Sequence, residues 1–273
     1  MRKMLIGATA AVALLGGPAL SADLSRPVTK APPPPPPPVY NWTGCYVKGG
    51  VGYGMFNQDT RTFETDRVVE AVGVEVRTGG RGWLGTVGGG CDYQFSFFNA
   101  NWVIGVYGDY DFSGIKGDIA VPIEGITFFG SEKQRSAWAV GGRIGYLITP
   151  SVLTYASGGF TQARFSGATL FLPSVPPEFD NLSVPRHTFS GFFVGGGYEY
   201  NLGWIPGLFW RTEYRFAQYD RENLDIIENG ERPILLDDGR RVQFRIDTEK
   251  FVQTVRSELV WRWNWPGPVR ASY

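Results

Sequence analysis

Thr254-Val255-Arg256-Ser257-Glu258-Leu259-Val260-Trp261-Arg262-Trp263 reads as two interleaved series. Val255, Ser257, Leu259, Trp261 and Trp263 form one series, and Thr254, Arg256, Glu258, Val260 and Arg262 the other. Successive side chains of an extended chain point to opposite faces, so this segment is a strand with an apolar, aromatic face and a charged one. The same alternation recurs upstream at residues 44–56, 83–95, 102–112, 137–147, 152–165, 189–202 and 208–219, which gives eight strands in all. Segments of roughly 9 to 14 residues are long enough to cross a bilayer at a tilt. An even number of them leaves both ends of the sheet on one side of the membrane.

The connections alternate in length. Residues 57–82, 113–136, 166–188 and 220–251 form long links, whereas 96–101, 148–151 and 203–207 are short and hold the Asn, Pro, Gly and Ser of tight turns. Long loops at one end and short turns at the other is the asymmetry of a bacterial outer-membrane barrel. The expected fold is therefore all-β, an eight-stranded antiparallel transmembrane barrel with short periplasmic turns and long extracellular loops.

The N-terminus is consistent with export. Arg2 and Lys3 precede an apolar stretch, and small residues lead up to Asp23, so residues 1–22 read as a signal peptide. Residues 23–40 contain Pro32 to Pro38 without a break, a stiff polyproline II spacer. The barrel is assigned to residues 41–265 and a C-terminal extension to 266–273. Composition narrows the function classes. The 26 basic residues balance 26 acidic ones among 273, so bulk charge gives no attraction to nucleic acid. The 37 glycines carry no collagen-type repeat, and beyond the N-terminus no apolar run reaches the ~20 residues of a membrane helix.

A soluble carrier barrel shows the same alternation with its faces reversed. Three features favour a polar lumen and a lipid-facing exterior. Gly44, Gly50, Gly52 and Gly54, with Gly88 and Gly90, share the charged face and leave room there for long side chains. Trp102, Tyr110, Phe112, Trp261, Trp263 and Trp265 sit near strand ends on the apolar face, where an interfacial girdle belongs. The loop asymmetry has a meaning only if the two ends face different compartments. On this parity the lumen holds Lys48, Asp92, Asp109, Arg143, Glu199, Arg211, Glu213, Arg215, Arg256, Glu258 and Arg262. Eight strands enclose just enough space for side chains, so these charges are expected to pair into a packed network rather than line a pore. Cys45 and Cys91 fall on the outward parity of adjacent strands, and both a disulfide and two free thiols facing lipid fit that placement.

Asn41-Trp42-Thr43-Gly44-Cys45-Tyr46-Val47 after the Pro-rich segment, Gly142-Arg143-Ile144-Gly145-Tyr146, Gly195-Gly196-Gly197-Tyr198-Glu199-Tyr200, Glu213-Tyr214-Arg215-Phe216 and Thr254-Val255-Arg256 resemble small alphaproteobacterial outer-membrane barrels, often labelled porin-family or opacity-like surface antigens. The resemblance spans Trp42 to Trp263. It implies a structural barrel that contributes to envelope integrity and presents surface loops, with no catalytic residues to carry over. Two positions depart from the family pattern: Cys45 stands where an aromatic is usual, and Asn264 to Tyr273 follow the aromatic that usually ends the chain.

The expected partners are outer-membrane lipids and lipopolysaccharide, the barrel-assembly machinery, and a host surface or peptidoglycan. The second functional reading is a narrow porin-like channel for small solutes. Catalysis is not expected, since His187 is the one histidine and stands without an evident partner. No cofactor is expected, because no cluster has metal-ligand spacing and neither Gly-Gly-Gly run leads into the Lys-Ser/Thr of a phosphate loop.

Overall fold

The structure, a computed structural model, describes residues 40–64, 70–71, 75–123, 125–173, 182–228, 234–235 and 241–264. Eight long strands form the barrel: Gly44–Glu64, Val76–Phe97, Ala100–Ser113, Ile126–Thr149, Val152–Phe165, His187–Asn201, Leu208–Asp225 and Phe244–Asn264. Each pairs antiparallel with its neighbours in sequence. The first and eighth close the ring in one unbroken register from Gly44 opposite Asn264 to Glu64 opposite Phe244. Closure matters because an open sheet edge would leave backbone N–H and C=O groups without partners in lipid.

The alternation seen in the sequence becomes burial. Val255, Leu259, Trp261 and Trp263 are exposed on the outside, while Arg256, Glu258, Val260 and Arg262 are buried within. Two of the three short turns are tighter than the composition suggested. Phe98 and Asn99 alone join the second and third strands, both with positive φ (47° and 54°), the twist a two-residue hairpin needs. Asn accepts that conformation readily, and the Phe98 ring packs against Phe97 with centroids 4.3 Å apart.

The long links differ from the expectation. Residues 57–64 and 76–82 continue the first two strands, so the ladder runs to Thr60 opposite Val76. Residues 113–136 contain a hairpin of Lys116–Ile123 against Ile126–Lys133, joined to the barrel through Arg81 opposite Lys116. The sheet thus continues past the segments read as spanning strands. Alternation persists in these extensions with polar residues on both faces, which is why the pattern read as loop. Ile115, Ile119, Val121, Leu170, Val184, Leu224, Ile226, Phe244 and Ile246 are buried there, an apolar core beyond the charged part of the lumen. Residues 1–39 and 265–273 lie outside the described residues, and with them the leader, all but the end of the Pro-rich spacer, the extension and Trp265.

Candidate functional site

All eleven lumen residues named from the sequence are buried, and the ladder brings them into two ionic clusters. The first lies near the short-turn end. Glu199 accepts hydrogen bonds from Arg211 Nη2 at 2.6 Å, Arg262 Nε at 2.6 Å and Arg143 Nη1 at 3.2 Å. Asp92 accepts from Arg143 Nε at 2.9 Å and Arg262 Nη1 at 2.7 Å. The Tyr46 ring sits among the same three guanidiniums, 4.6 to 4.9 Å from their central carbons.

The second cluster is centred on Asp109. Lys48 Nζ reaches Asp109 at 3.1 Å and Glu258 at 3.0 Å, and Arg215 binds Asp109 through two nitrogens at 2.9 and 2.8 Å. Arg215 also holds Glu213, which accepts from Tyr155 Oη at 2.8 Å, and Arg256 holds Asp111 at 2.6 Å. With Tyr155 from the fifth strand, all eight strands contribute a side chain to the two clusters. A buried ion pair is a weak source of net stability, because desolvation offsets most of the attraction. What these pairs provide is a solid filling of the lumen. Beside Asp111, Arg215 and Arg256 a cavity of about 10 Å³ remains, room for about one water molecule.

Glycine makes this crossing geometry feasible. Gly105 lies opposite Asp92 on one neighbouring strand and Arg143 on the other, so the Asp92–Arg143 pair passes directly over it. A Cβ at Gly105 would collide with the Asp92 carboxylate, and one at Gly90 would lie 2.8 Å from Tyr46 Oη.

Both ends of the lumen are plugged by residues that the sequence reading did not assign to it. Trp42 is fully buried at the short-turn end, donating from its indole N–H to Pro150 O at 3.2 Å and packing on Phe209 at 4.9 Å. At the other end Lys250 bonds Glu132 at 2.7 Å and also Gln58, among the rings of Phe56, Phe165 and Phe189. Glu132 and Lys250 were hidden because both fall in segments read as loops. Asp111 was legible, since it shares the parity of Asp109 two residues earlier.

On the outer face, Tyr110, Phe112, Trp261 and Trp263 are exposed, and Trp102 is half-buried against Tyr146 at 5.5 Å. Cys45 and Cys91 are directly opposite, Cα atoms 4.0 Å apart, and are joined by a disulfide. Alkylation of the folded protein without reductant is therefore expected to leave both positions unmodified. Intact mass with and without reductant reads this, and two alkylated thiols in the unreduced sample would contradict it.

His187 is not without a neighbour: its Nε2 lies 3.7 Å from Glu222, and both side chains are more than one-third exposed. Among the described residues no group of three His, Cys, Asp or Glu side chains is placed to hold a metal ion. The two Gly-Gly-Gly runs lie inside the second and sixth strands. Above the aromatic tier the first, second, seventh and eighth strands carry outward ion pairs, Arg77 with Asp59, Arg221 with Glu249 and Arg245 with Asp225. The Arg77 hydrogen bond holds the Asp59 carboxyl below its usual pKa.

The model of the outer membrane protein beta-barrel domain matches residues 8–235. The chain belongs to that family. A 31 kDa outer-membrane immunogenic protein of Brucella melitensis is 25% identical over 241 residues, covering 84% of this chain and 92% of that protein. Its counterpart in Brucella suis matches equally. The crystal structure of the outer membrane protein OprG from Pseudomonas aeruginosa superposes with a TM-score of 0.50 at 12% identity, over 81% of this chain and 97% of that one, which speaks for the fold alone. The barrel is thus a protein of the Gram-negative outer membrane, its exposed aromatic and aliphatic face turned to lipid and its charged face to the lumen.

Proposed function

We propose that this outer-membrane barrel is structural: a closed, non-conducting and non-catalytic cylinder that anchors surface-facing hairpins and contributes to envelope integrity. The observation that carries this reading is the Asp109 cluster, in which Lys48, Arg215 and Arg256 from three different strands meet one carboxylate across the lumen. A narrow solute channel, the rival reading, would require these bonds to open at little cost, and removing single partners from buried pairs is costly.

In this reading residues 1–22 are a cleaved leader, residues 23–40 a periplasmic spacer within reach of peptidoglycan, residues 41–265 the barrel and 266–273 an extension past its last strand. The assembly machinery inserts the barrel, lipopolysaccharide surrounds its outer half, and the hairpins meet the host or environment, as the immunogenic relatives suggest by name. Deleting the chain from its native cells is expected to increase sensitivity to detergents and large antibiotics, restored by the full-length chain. Unchanged sensitivity, with uptake of a small solute lost instead, would favour the channel.

A further inference from the structure

Among the described residues, six cations stand outward on one side of the barrel without an acidic partner. Arg81 lies on the second strand, Lys116 on the hairpin, Lys133 and Arg135 on the fourth strand, Arg164 on the fifth and Arg186 just before the sixth, and none forms an ion pair with a described carboxylate. The register makes them neighbours: Arg81 is opposite Lys116, Lys116 is opposite Lys133, and Ser136, next to Arg135, is opposite Arg164. Four of the six lie just past an outward aromatic on the way to the long-link end. Arg81 follows Trp83, Lys116 follows Phe112, Arg135 follows Trp138 and Arg164 follows Phe160, and those four aromatics are 40 to 69% exposed.

Arg135, Arg164 and Arg186 converge on a cleft of about 510 Å³ whose remaining walls are Phe165, Ser166 and Gly167. The opposite side differs. There Arg61, Arg77, Arg221 and Arg245 are each matched to Glu75, Asp59, Glu249 and Asp225. Among the described residues, Asp118 is exposed two residues from Lys116 and Glu222 stands beside His187. Glu132 points inward to Lys250.

Arginine forks without carboxylates, directly above lipid-facing aromatics, suit phosphate oxygens at headgroup level. We infer that the Arg135–Arg164–Arg186 cleft binds the phosphates of a phosphorylated glycolipid of the outer leaflet, with Arg81, Lys116 and Lys133 extending the contact. The other half of the barrel, internally neutralised, has no such preference. The inference rests on the long-link end facing outward, which protease accessibility of the hairpins in intact cells reports independently.

The test is native mass spectrometry of the full mature chain in nanodiscs of phosphatidylcholine with a minor fraction of bis-phosphorylated lipid A. Because basic side chains at the surface are drawn to anionic headgroups, Arg135→Gln/Arg164→Gln/Arg186→Gln is expected to lower lipid A retention at least about tenfold. Arg221→Gln/Arg245→Gln, on the neutralised side, is expected to retain it as the parent does. Heat-modifiable migration of each variant confirms a folded barrel, since all five positions are exposed or partly exposed. Equal retention by the parent and the triple variant overturns the inference. So does equal retention of dephosphorylated lipid A, or displacement of lipid A by inorganic phosphate alone, which would mark a site for soluble anions.

Discussion

Glu199→Gln is expected to destabilise the folded barrel by about 3–5 kcal/mol, the range for removing one partner from a buried ionic group. Glu199 is fully buried and serves three guanidiniums at once. Without its charge, Asp92 alone faces Arg143 and Arg262, and Arg211 keeps only Glu258 at 3.9 Å. In a lumen with little room for water, Arg143 and Arg262 then each lose the charge behind one short bond and Arg211 the charge behind two, and none can deprotonate, because arginine stays charged in proteins. The measurement is the urea midpoint of vesicle-reconstituted protein, read by tryptophan fluorescence. Arg221→Gln, which breaks an exposed pair, serves as the reference and is expected to change stability by about 1 kcal/mol or less. An equally small effect at Glu199 would mean that water reaches the cluster.

Lys250→Met is expected to cost about 3 kcal/mol by stranding the buried Glu132 carboxylate. This pair differs from the Glu199 hub in involving no further ion, its other neighbours being the neutral Gln58 and aromatic rings. Lys250→Met combined with Glu132→Gln should therefore return stability to within about 1 kcal/mol of the parent, because neutralising both partners of a buried pair removes the desolvation cost along with the attraction. A double-mutant cycle on the same urea transition measures this. If the double variant were as unstable as the single one, the Lys250 ammonium itself would be required for packing against Phe165 and Phe189.

The contrast between these sites follows what was legible in the chain. Glu199, Arg211 and Arg262 were readable because strict alternation ties each to the same face as its neighbours, and closure of eight strands forces that face inward. Parity says which residues share the lumen but not which pair, since pairing depends on stagger between strands; the link from Asp92 to Arg262 joins residues 170 positions apart. Lys250 and Glu132 were illegible for another reason. The pattern around them mixes polar and apolar residues on both faces, as an extension leaving the membrane does, and a mixed pattern reads as loop. Trp42 precedes the first strand, where alternation gives no guidance, and its place in the lumen mouth depends on the distant Pro150 and Phe209.

A closed lumen is the central claim, and planar-bilayer recording of the purified, disulfide-bonded barrel tests it most directly. The ionic clusters that join all eight strands predict a silent membrane at voltages that leave the bilayer intact, with insertion verified by protease protection. Reproducible open steps from the parent protein, scaling with salt concentration, would contradict it.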